Sequence, residues 1–313
     1  MVIKDKFYPV IVTTLNRFEH FKRCIESLKA NTHADQTELI IGLDYPPSNE
    51  YKLGWENIKH YIDGINTFKK VTVFYREFNY GASRNLEELV SYAFEKYDAV
   101  IVTEDDNQFS PCFLDFMNKG LRIYYDNPQI TSISGYKNLL YDDSTLNSVF
   151  PTYVVSAWGC GVWKHKLYPK NFDYYKKIIN SVKQSWKNFS LCPASFFMLI
   201  MMLDKKMNWG DVMATQYNIA NNKFQLVPNI SLCRNWGHDG SGINCIEEEQ
   251  KKYIEQEISY AKTFDFDVFD LIIPPKVKIE NKKIALPVTI KDKLILTLVC
   301  LKLYLKLRFK SKL

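Results

Sequence analysis

Within its first 127 residues the chain passes four times from a short apolar run to a segment of helical period, and this alternation leaves few folds open. The apolar runs are "FYPVIVTT" (residues 7–14), "ELIIGLD" (38–44), "VTVFYRE" (71–77) and "AVIV" (99–102). Each is too short for a core helix and reads as a buried strand. Helices are expected over residues 17–30, 51–65, 83–97 and 110–127. The third places Leu86, Leu89, Val90, Ala93, Phe94 and Tyr97 at three- and four-residue steps, the apolar stripe of an amphipathic helix. In the fourth, Ser110 stands as N-cap with Pro111 at the first helical position. Strand and helix repeated in this way predict the α/β class: a doubly wound, mostly parallel sheet with helices on both faces.

In such a sheet ligands bind beyond the carboxyl ends of the strands. Polar residues cluster at all four of those ends. They are Thr13, Thr14, Asn16 and Arg17 after the first strand, Asp44 after the second, Asn79 to Arg84 after the third, and Glu104, Asp105 and Asp106 after the fourth. Three adjacent carboxylates repel one another, so the triplet costs stability unless a cation or donors offset it. It reads either as an exposed acidic turn or as the seat of a hard divalent cation that shares its oxygen ligands with a phosphate. In "NYGASRN" (79–85) Gly81 opens a turn before a helix. That helix N-terminus and Arg84 either face an anion or lie in an ordinary solvated loop.

Beyond residue 150 the pattern is less regular and richer in aromatics and glycine. Helices are expected over 172–188, 195–206 and 209–222, a strand over 224–232, a turn-rich loop over 234–245 and a charged surface helix over 247–264. "SAWGCGVW" (156–163) sets Trp158 and Trp163 around two glycines. Either the backbone lets a ligand approach ring faces suited to a sugar, or the aromatics fill a core. Asp211, in "NWGD", is either the N-cap of the next helix or a general base. His238, with Asp239 and Ser241 beside it, either contacts a diphosphate, completes a metal site or is solvated. There is no P-loop, no GxSxG and no zinc motif, and the other histidines show no ligand spacing.

Composition narrows the classes. Of 313 residues 46% are hydrophobic and 15% aromatic, which excludes a disordered chain. Seven cysteines form no CxxC pair, so a reduced, cytosolic setting with buried thiols is expected. No apolar stretch precedes a small-residue cleavage site, and no signal peptide is expected. From residue 291 onward there are seven bases and one acid, a surplus equal to the net charge of +6 of the whole chain. The rest is neutral, and no nucleic-acid partner is expected. The tail, "KDKLILTLVCLKLYLKLRFKSKL" (291–313), has an apolar stretch at 294–301 that is too short to span a bilayer. Lys302, Lys306 and Lys310 recur on one helical face. The tail reads as a basic amphipathic helix on an anionic membrane, or as a helix packed on the domain or a second subunit.

Taken in order, "PVIVTTLNR", "IIGLD", "YREFNYGASRN", "IVTEDDNQFSPCFLDF", "SAWGCGVW", "NWGD" and "RNWGHDGSGINC" resemble the nucleotide-sugar glycosyltransferases of the GT-A fold. The likeness is greatest to bacterial relatives of N-acetylglucosaminyltransferase I. It implies a GT-A domain over residues 1–245, nucleotide-binding to about residue 135 and acceptor-binding over about 136–245. A C-terminal helical region, 246–313, ends in the basic tail.

The resemblance also implies roles. Thr13, Asn16, Arg17 and Asp44 would hold the nucleotide base and ribose, Asn79 would belong to the donor site, and Arg84 would add to the stabilisation of the departing diphosphate. Asp106 would bind the Mn2+ or Mg2+ that bridges the diphosphate, with Glu104 and Asp105 on the sugar or supporting it. Trp158 to Trp163 would line the sugar and acceptor side. Asp211 would activate the acceptor hydroxyl, and His238 lies in the loop that closes over the diphosphate. Two positions depart from the family pattern. Gly210 precedes Asp211 where the eukaryotic enzyme has a second acid, and Asn244 stands where bacterial relatives carry His.

The implied function is metal-dependent, inverting transfer from a nucleoside-diphosphate sugar, most commonly UDP-linked, to a hydroxyl of a glycan or lipid-linked saccharide. Such chemistry belongs to bacterial surface polysaccharide synthesis, in the cytoplasm on the inner face of the cell membrane. A nucleotidyltransferase would carry a Gly-rich loop with Lys after the first strand, which "TTLNRFEHF" lacks. Against a non-catalytic carbohydrate-binding protein on a degenerate domain stand the intact acidic triplet and Asp211.

Overall fold

The four strands expected in the first hundred residues lie side by side: β1 (Val10–Thr14), β2 (Glu38–Leu43), β3 (Lys70–Tyr75) and β4 (Ala99–Glu104). Their spatial order is β3-β2-β1-β4, all parallel. The computed structural model describes residues 6–141, 148–241, 250–266, 271–284 and 290–310. β2, "ELIIGL", is buried at every position, as a strand covered on both faces must be. On one side Val10, Val12, Leu39 and Ile41 meet Phe21, Ile25 and Leu28 of helix α1 (Phe18–Lys29) and Ile58 of α2 (Lys52–Ile62). On the other, Ile11, Ile40 and Val100 meet Leu89 of α3 (Ala82–Ala93). Alternate residues of each strand thus serve two cores.

A short strand β5 (Asn107–Phe109) and helix α4 (Phe113–Ile123) follow β4. Ser110 does not cap that helix. Ser110 and Pro111 turn ahead of it, the Ser110 carbonyl accepts the Phe113 N–H at 3.0 Å, and Cys112 takes the cap position without a side-chain bond.

The sheet continues past β4 through β6 (Ile130–Ser134), β7 (Val149–Thr152), β8 (Cys160–Trp163) and β9 (Phe224–Pro228), in the order β4-β8-β6-β9-β7. β8 runs antiparallel to β4 and β6, and β7 to β9, while β6 and β9 are parallel. Of these four only β9 has a clear sequence signal. The others are four or five residues long and carry Ser, Gly or Pro in place of an alternating pattern. A Cβ at Gly161 would stand 2.8 Å from the Met117 Cε, so glycine there lets α4 lie close on β8.

A second core is helical. The helix expected over 172–188 is two, α5 (Phe172–Asn180) and α6 (Val182–Leu191). Ser181 between them is extended, and its hydroxyl accepts the Gln184 N–H at 3.3 Å to start the second helix. With α7 (Pro193–Lys205) and α8 (Gly210–Asn221) they enclose Tyr175, Ile179, Leu199, Met202 and Met213. Strand β10 (Cys233–Asn235) then returns to pair antiparallel with β5.

Of the charged helix expected over 247–264, the described residues show one short piece, α9 (Gln250–Ile254). Beyond it Ile258 bridges to Ser231, and Phe264 and Phe266 lie on Phe116, an apolar anchoring that a surface helix does not allow. Helix α10 (Pro275–Glu280) leads to α11 (Ile290–Lys310).

α11 packs one side on the helical core, with Cys300 buried and Leu303, Tyr304 and Leu307 against it. Lys306 pairs with Asp204 of α7 at 2.7 Å. Among the described residues no helix is long and apolar enough to cross a membrane. The six described cysteines are buried thiols, and Cys245, like Asn244, lies outside the described residues.

Candidate active site

The chain leaves β1 toward β2 and β3 on one side, while β4 lies on the other, so the carboxyl ends of β1 and β4 flank a topological switch point. Thr13, Thr14, Asn16 and Arg17 follow β1 there, and the acidic triplet follows β4. Arg17, in the turn before α1, reaches across with one guanidinium nitrogen. It donates to Asp105 Oδ1 and, at 2.9 Å, to Asp106 Oδ2. The Thr14 hydroxyl donates to Asp105 Oδ2 at 2.8 Å. Burial pushes Asp105 up, against the Arg17 charge that pulls it down. For Arg17 burial favours the neutral form, and the two carboxylates outweigh it and raise the guanidinium further.

The turn is strapped from above. Because β5 pairs with β10, the Asn235 amide donates to Asp106 Oδ1 at 3.0 Å, and the Trp236 N–H donates to the Asp106 carbonyl at 2.8 Å. A Cβ at Gly237 would stand 2.2 Å from Asp106 Oδ2, so only glycine allows the loop this close. Farther on, His20 of α1 pairs with Asp239 at 2.9 Å. Burial raises Asp239, but the Ser241 hydroxyl and N–H, and then His20, hold it down to about 2. The loop after β10 thereby closes on α1 over the acidic turn.

Glu104 and Asp211 are placed differently from this clamped pair. Each side chain is open to solvent and yet hemmed in by protein, the situation of a group on the floor of a cleft. Burial, then the charges of Asp106 and Asp105, push Glu104 up to about 7, and Asp211 adds to the push. The charge of Asp211 on α8 thus reaches Glu104 at the end of β4, although 107 positions separate them in the sequence.

Asp211 is not a cap. Trp209 holds that position, and Asp211 sits in the first turn, where the N–H groups of Val212 and Asp211 itself partly counter the upward push of burial. Tyr168 lies alongside, its hydroxyl pushed up to about 12 by burial and by Asp211. That hydroxyl is 2.9 Å from where a Cβ at Gly210 would stand, so a second acid at 210 would have to displace it.

Asp44, Asn79 and Arg84 form a neighbouring group at the ends of β2 and β3. Asp44 is buried and accepts the N–H groups of Tyr45, Tyr80 and Gly81 at 2.8–2.9 Å. It fixes the turn in which Gly81, at φ +74, opens α3. Asn79 donates to the Tyr45 carbonyl at 2.8 Å. Arg84 lies over the Tyr80 ring at 4.0 Å and donates to Glu88 at 3.1 Å.

Beside the loop after β10, Trp158 stands edge-on to Tyr136, His238 and Tyr253, and His238 stacks on Tyr253 at 3.9 Å. Trp163 does not line the site: it is fully buried under α4, its indole N–H donating to the Leu121 carbonyl at 2.9 Å. Asn235, Gly237, Tyr168 and Tyr253 lacked a signal of their own. Asn235 and Gly237 fall inside "RNWGHDGSGIN", which marked the loop without its partners.

Among the described residues no three His, Cys, Asp or Glu side chains converge as a metal cage. Glu104 and Asp106 supply oxygen donors at one strand end. That donor set fits Mg2+ or Mn2+, which bind through one or two carboxylates and complete their shell with substrate phosphates and water.

Residues 10–137, from β1 through β6, match the family model "Glycosyl transferase family 2". The sequence matches no curated protein. Among solved structures the chain is similar to S. aureus TarS, at 14% identity and a TM-score of 0.37, covering 73% of this chain and 36% of that one. The mannosyltransferase PcManGT from Pyrobaculum calidifontis, in complex with GDP-Man and Mn2+, matches at 10% and 0.41, covering 69% and 74%. GalNAc-T7 with UDP, GalNAc and Mn2+ matches at 10% and 0.43, covering 72% and 43%. The chain spans little more than a third of the length of TarS.

Proposed function

From the match of residues 10–137 to the family 2 glycosyltransferase model, we propose that the protein transfers a sugar from a nucleoside-diphosphate sugar, UDP first among the donors, to a hydroxyl of a glycan or lipid-linked saccharide. The order of its motifs further suggests kinship with bacterial relatives of N-acetylglucosaminyltransferase I and a place in surface polysaccharide synthesis. The observation that carries the reading is that Asp211 of α8 lies near enough to the acidic strand end of β4 for its charge to raise Glu104.

In the proposed reaction the acceptor oxygen attacks the anomeric carbon and gives its proton to Asp211. The bond from that carbon to the diphosphate oxygen breaks, and the diphosphate leaves with the electron pair. One displacement inverts the anomeric configuration and needs one base. Burial that raises Asp211 makes it a stronger one. Arg17 and Thr14 keep Asp105 fixed, and Arg17 and Asn235 orient Asp106. A divalent cation bound by Asp106 would neutralise charge on the diphosphate. Thr13, Asn16 and Asp44 border the nucleotide, Trp158 the sugar, and His238 the diphosphate loop. Through α11 the protein contacts an anionic membrane.

Thermal shift with UDP, GDP, CDP and TDP, each with and without Mn2+, tests the donor. The reading expects one diphosphate to stabilise the protein in a Mn2+-dependent way, and its nucleotide sugar to release that diphosphate on incubation. Stabilisation by none would contradict it. Release of pyrophosphate from a nucleoside triphosphate would point to a nucleotidyltransferase.

A further inference from the structure

Helices α6, α7 and α11 meet around a groove of about 260 Å³ that lies within the helical core, outside the cleft described above. Val182, Trp186 and Phe189 line it from α6, Phe196 and Ile200 from α7, and Tyr304 from α11. It exceeds the cavity of about 150 Å³ that accepts a benzene-sized guest. The apolar surface does not stop at its mouth. Trp186 is 67% exposed, Val182 58%, Leu298 66% and Leu301 51%, and Leu305 is exposed beside them. On α11, Leu301 lines the groove itself, and Leu298 and Leu305 are exposed on the same helix. A soluble surface seldom leaves such a contiguous patch uncovered.

Charge decides what covers it. Along α6, α7 and α11 the sequence carries nine bases, and its two acids are Asp204 and Asp292. Asp204 is already paired with Lys306. Lys183, beside Val182, and Lys302, beside Leu301, are exposed at the patch. A second copy of the chain joined through this face would set like charges against each other in an isologous contact. An anionic bilayer supplies both requirements: phosphates for the lysines and hydrocarbon for the leucines.

We propose that the groove takes the hydrocarbon chain of an anionic phospholipid. Trp186 sits at the headgroup level, and the leucines of α11 enter the acyl boundary. This assignment rests on the membrane contact proposed above and adds a defined chain-binding site to it.

The full chain is sedimented with vesicles of phosphatidylglycerol and phosphatidylcholine, and with phosphatidylcholine alone. Tryptophan fluorescence is then followed with bromine-labelled acyl chains. The expected result is binding to the anionic vesicles, weakened at least tenfold by Leu301→Glu, with quenching that Trp186→Phe largely removes. Both positions are exposed, and circular dichroism checks that the variants fold. Binding with quenching unchanged in Trp186→Phe overturns the groove assignment and leaves the membrane contact standing. No binding to either vesicle overturns both. A lipid-free dimer in analytical ultracentrifugation that Leu301→Glu disperses would assign the face to a second copy instead.

Discussion

Arg17 holds the acidic turn together, because two neighbouring carboxylates below the surface have its single guanidinium between them. Arg17→Ala leaves both without their counter-charge, and breaking a buried pair in this way costs about 3–5 kcal/mol. Urea denaturation should show a loss of that order, with Arg17→Lys intermediate because an ammonium keeps the charge but not the fixed fork. Glu104 makes a prediction of its own. Its pKa of about 7 in the fold lies above its ordinary 4.5, so the folded state holds this proton more tightly. The resulting stability is present in full below pH 4.5 and is lost as pH rises through about 7. The melting temperature should therefore fall between pH 5 and pH 7.5, and Glu104→Gln should flatten that slope. A divalent cation reverses the sign locally, so Mn2+ should stabilise the protein more at pH 7.5 than at pH 5. A melting profile independent of Glu104 would contradict the placement. The triplet was legible in the sequence as a site, but its division of labour was not. Arg17 meets Asp105 across 88 positions, and no local pattern records such a contact.

At the scale of elements, the site depends on close backbone approaches. A Cβ at Gly54 of α2 would stand 2.0 Å from the Asn16 carbonyl oxygen, which belongs to the turn carrying Arg17. Gly54→Ala must push that turn aside, an overpacking cost of about 1–3 kcal/mol read by urea denaturation. It should also weaken binding of the nucleoside diphosphate. Unchanged stability and binding would show that the turn is not held by α2. The first four strands and their helices were readable because long apolar stripes and buried runs dominate local preference there. Strands β6, β7 and β8 were not, since four or five residues with Ser, Gly or Pro are chosen by their neighbours in the sheet. The break at Ser181 and the cap at Cys112 in place of Ser110 are similar failures: cap residues are plentiful, and tertiary packing selects which one is used.

For the whole molecule, a sheet core and a helical core meet at the cleft, the first supplying Glu104 to Asp106 and the second Asp211. α11 closes the helical core with Cys300, Leu303 and Leu307, so removing residues 290–313 should lower the denaturation midpoint and promote aggregation by uncovering Phe196 and Phe197. A truncated protein as stable as the full chain would show that α11 is an appendage. Asp211 was readable as one of two things, a cap or a base, and the fold separates them by placing Trp209 at the cap. What the sequence could not show was that α8 brings this carboxylate within electrostatic reach of Glu104 at the end of β4. The most direct measurement is therefore Asp211→Asn in a paired assay of diphosphate release from the nucleotide sugar and of donor-induced thermal shift. A general base contributes about 10²–10⁴-fold. The account predicts release slowed by that factor with the thermal shift unchanged; release at the parent rate would contradict it.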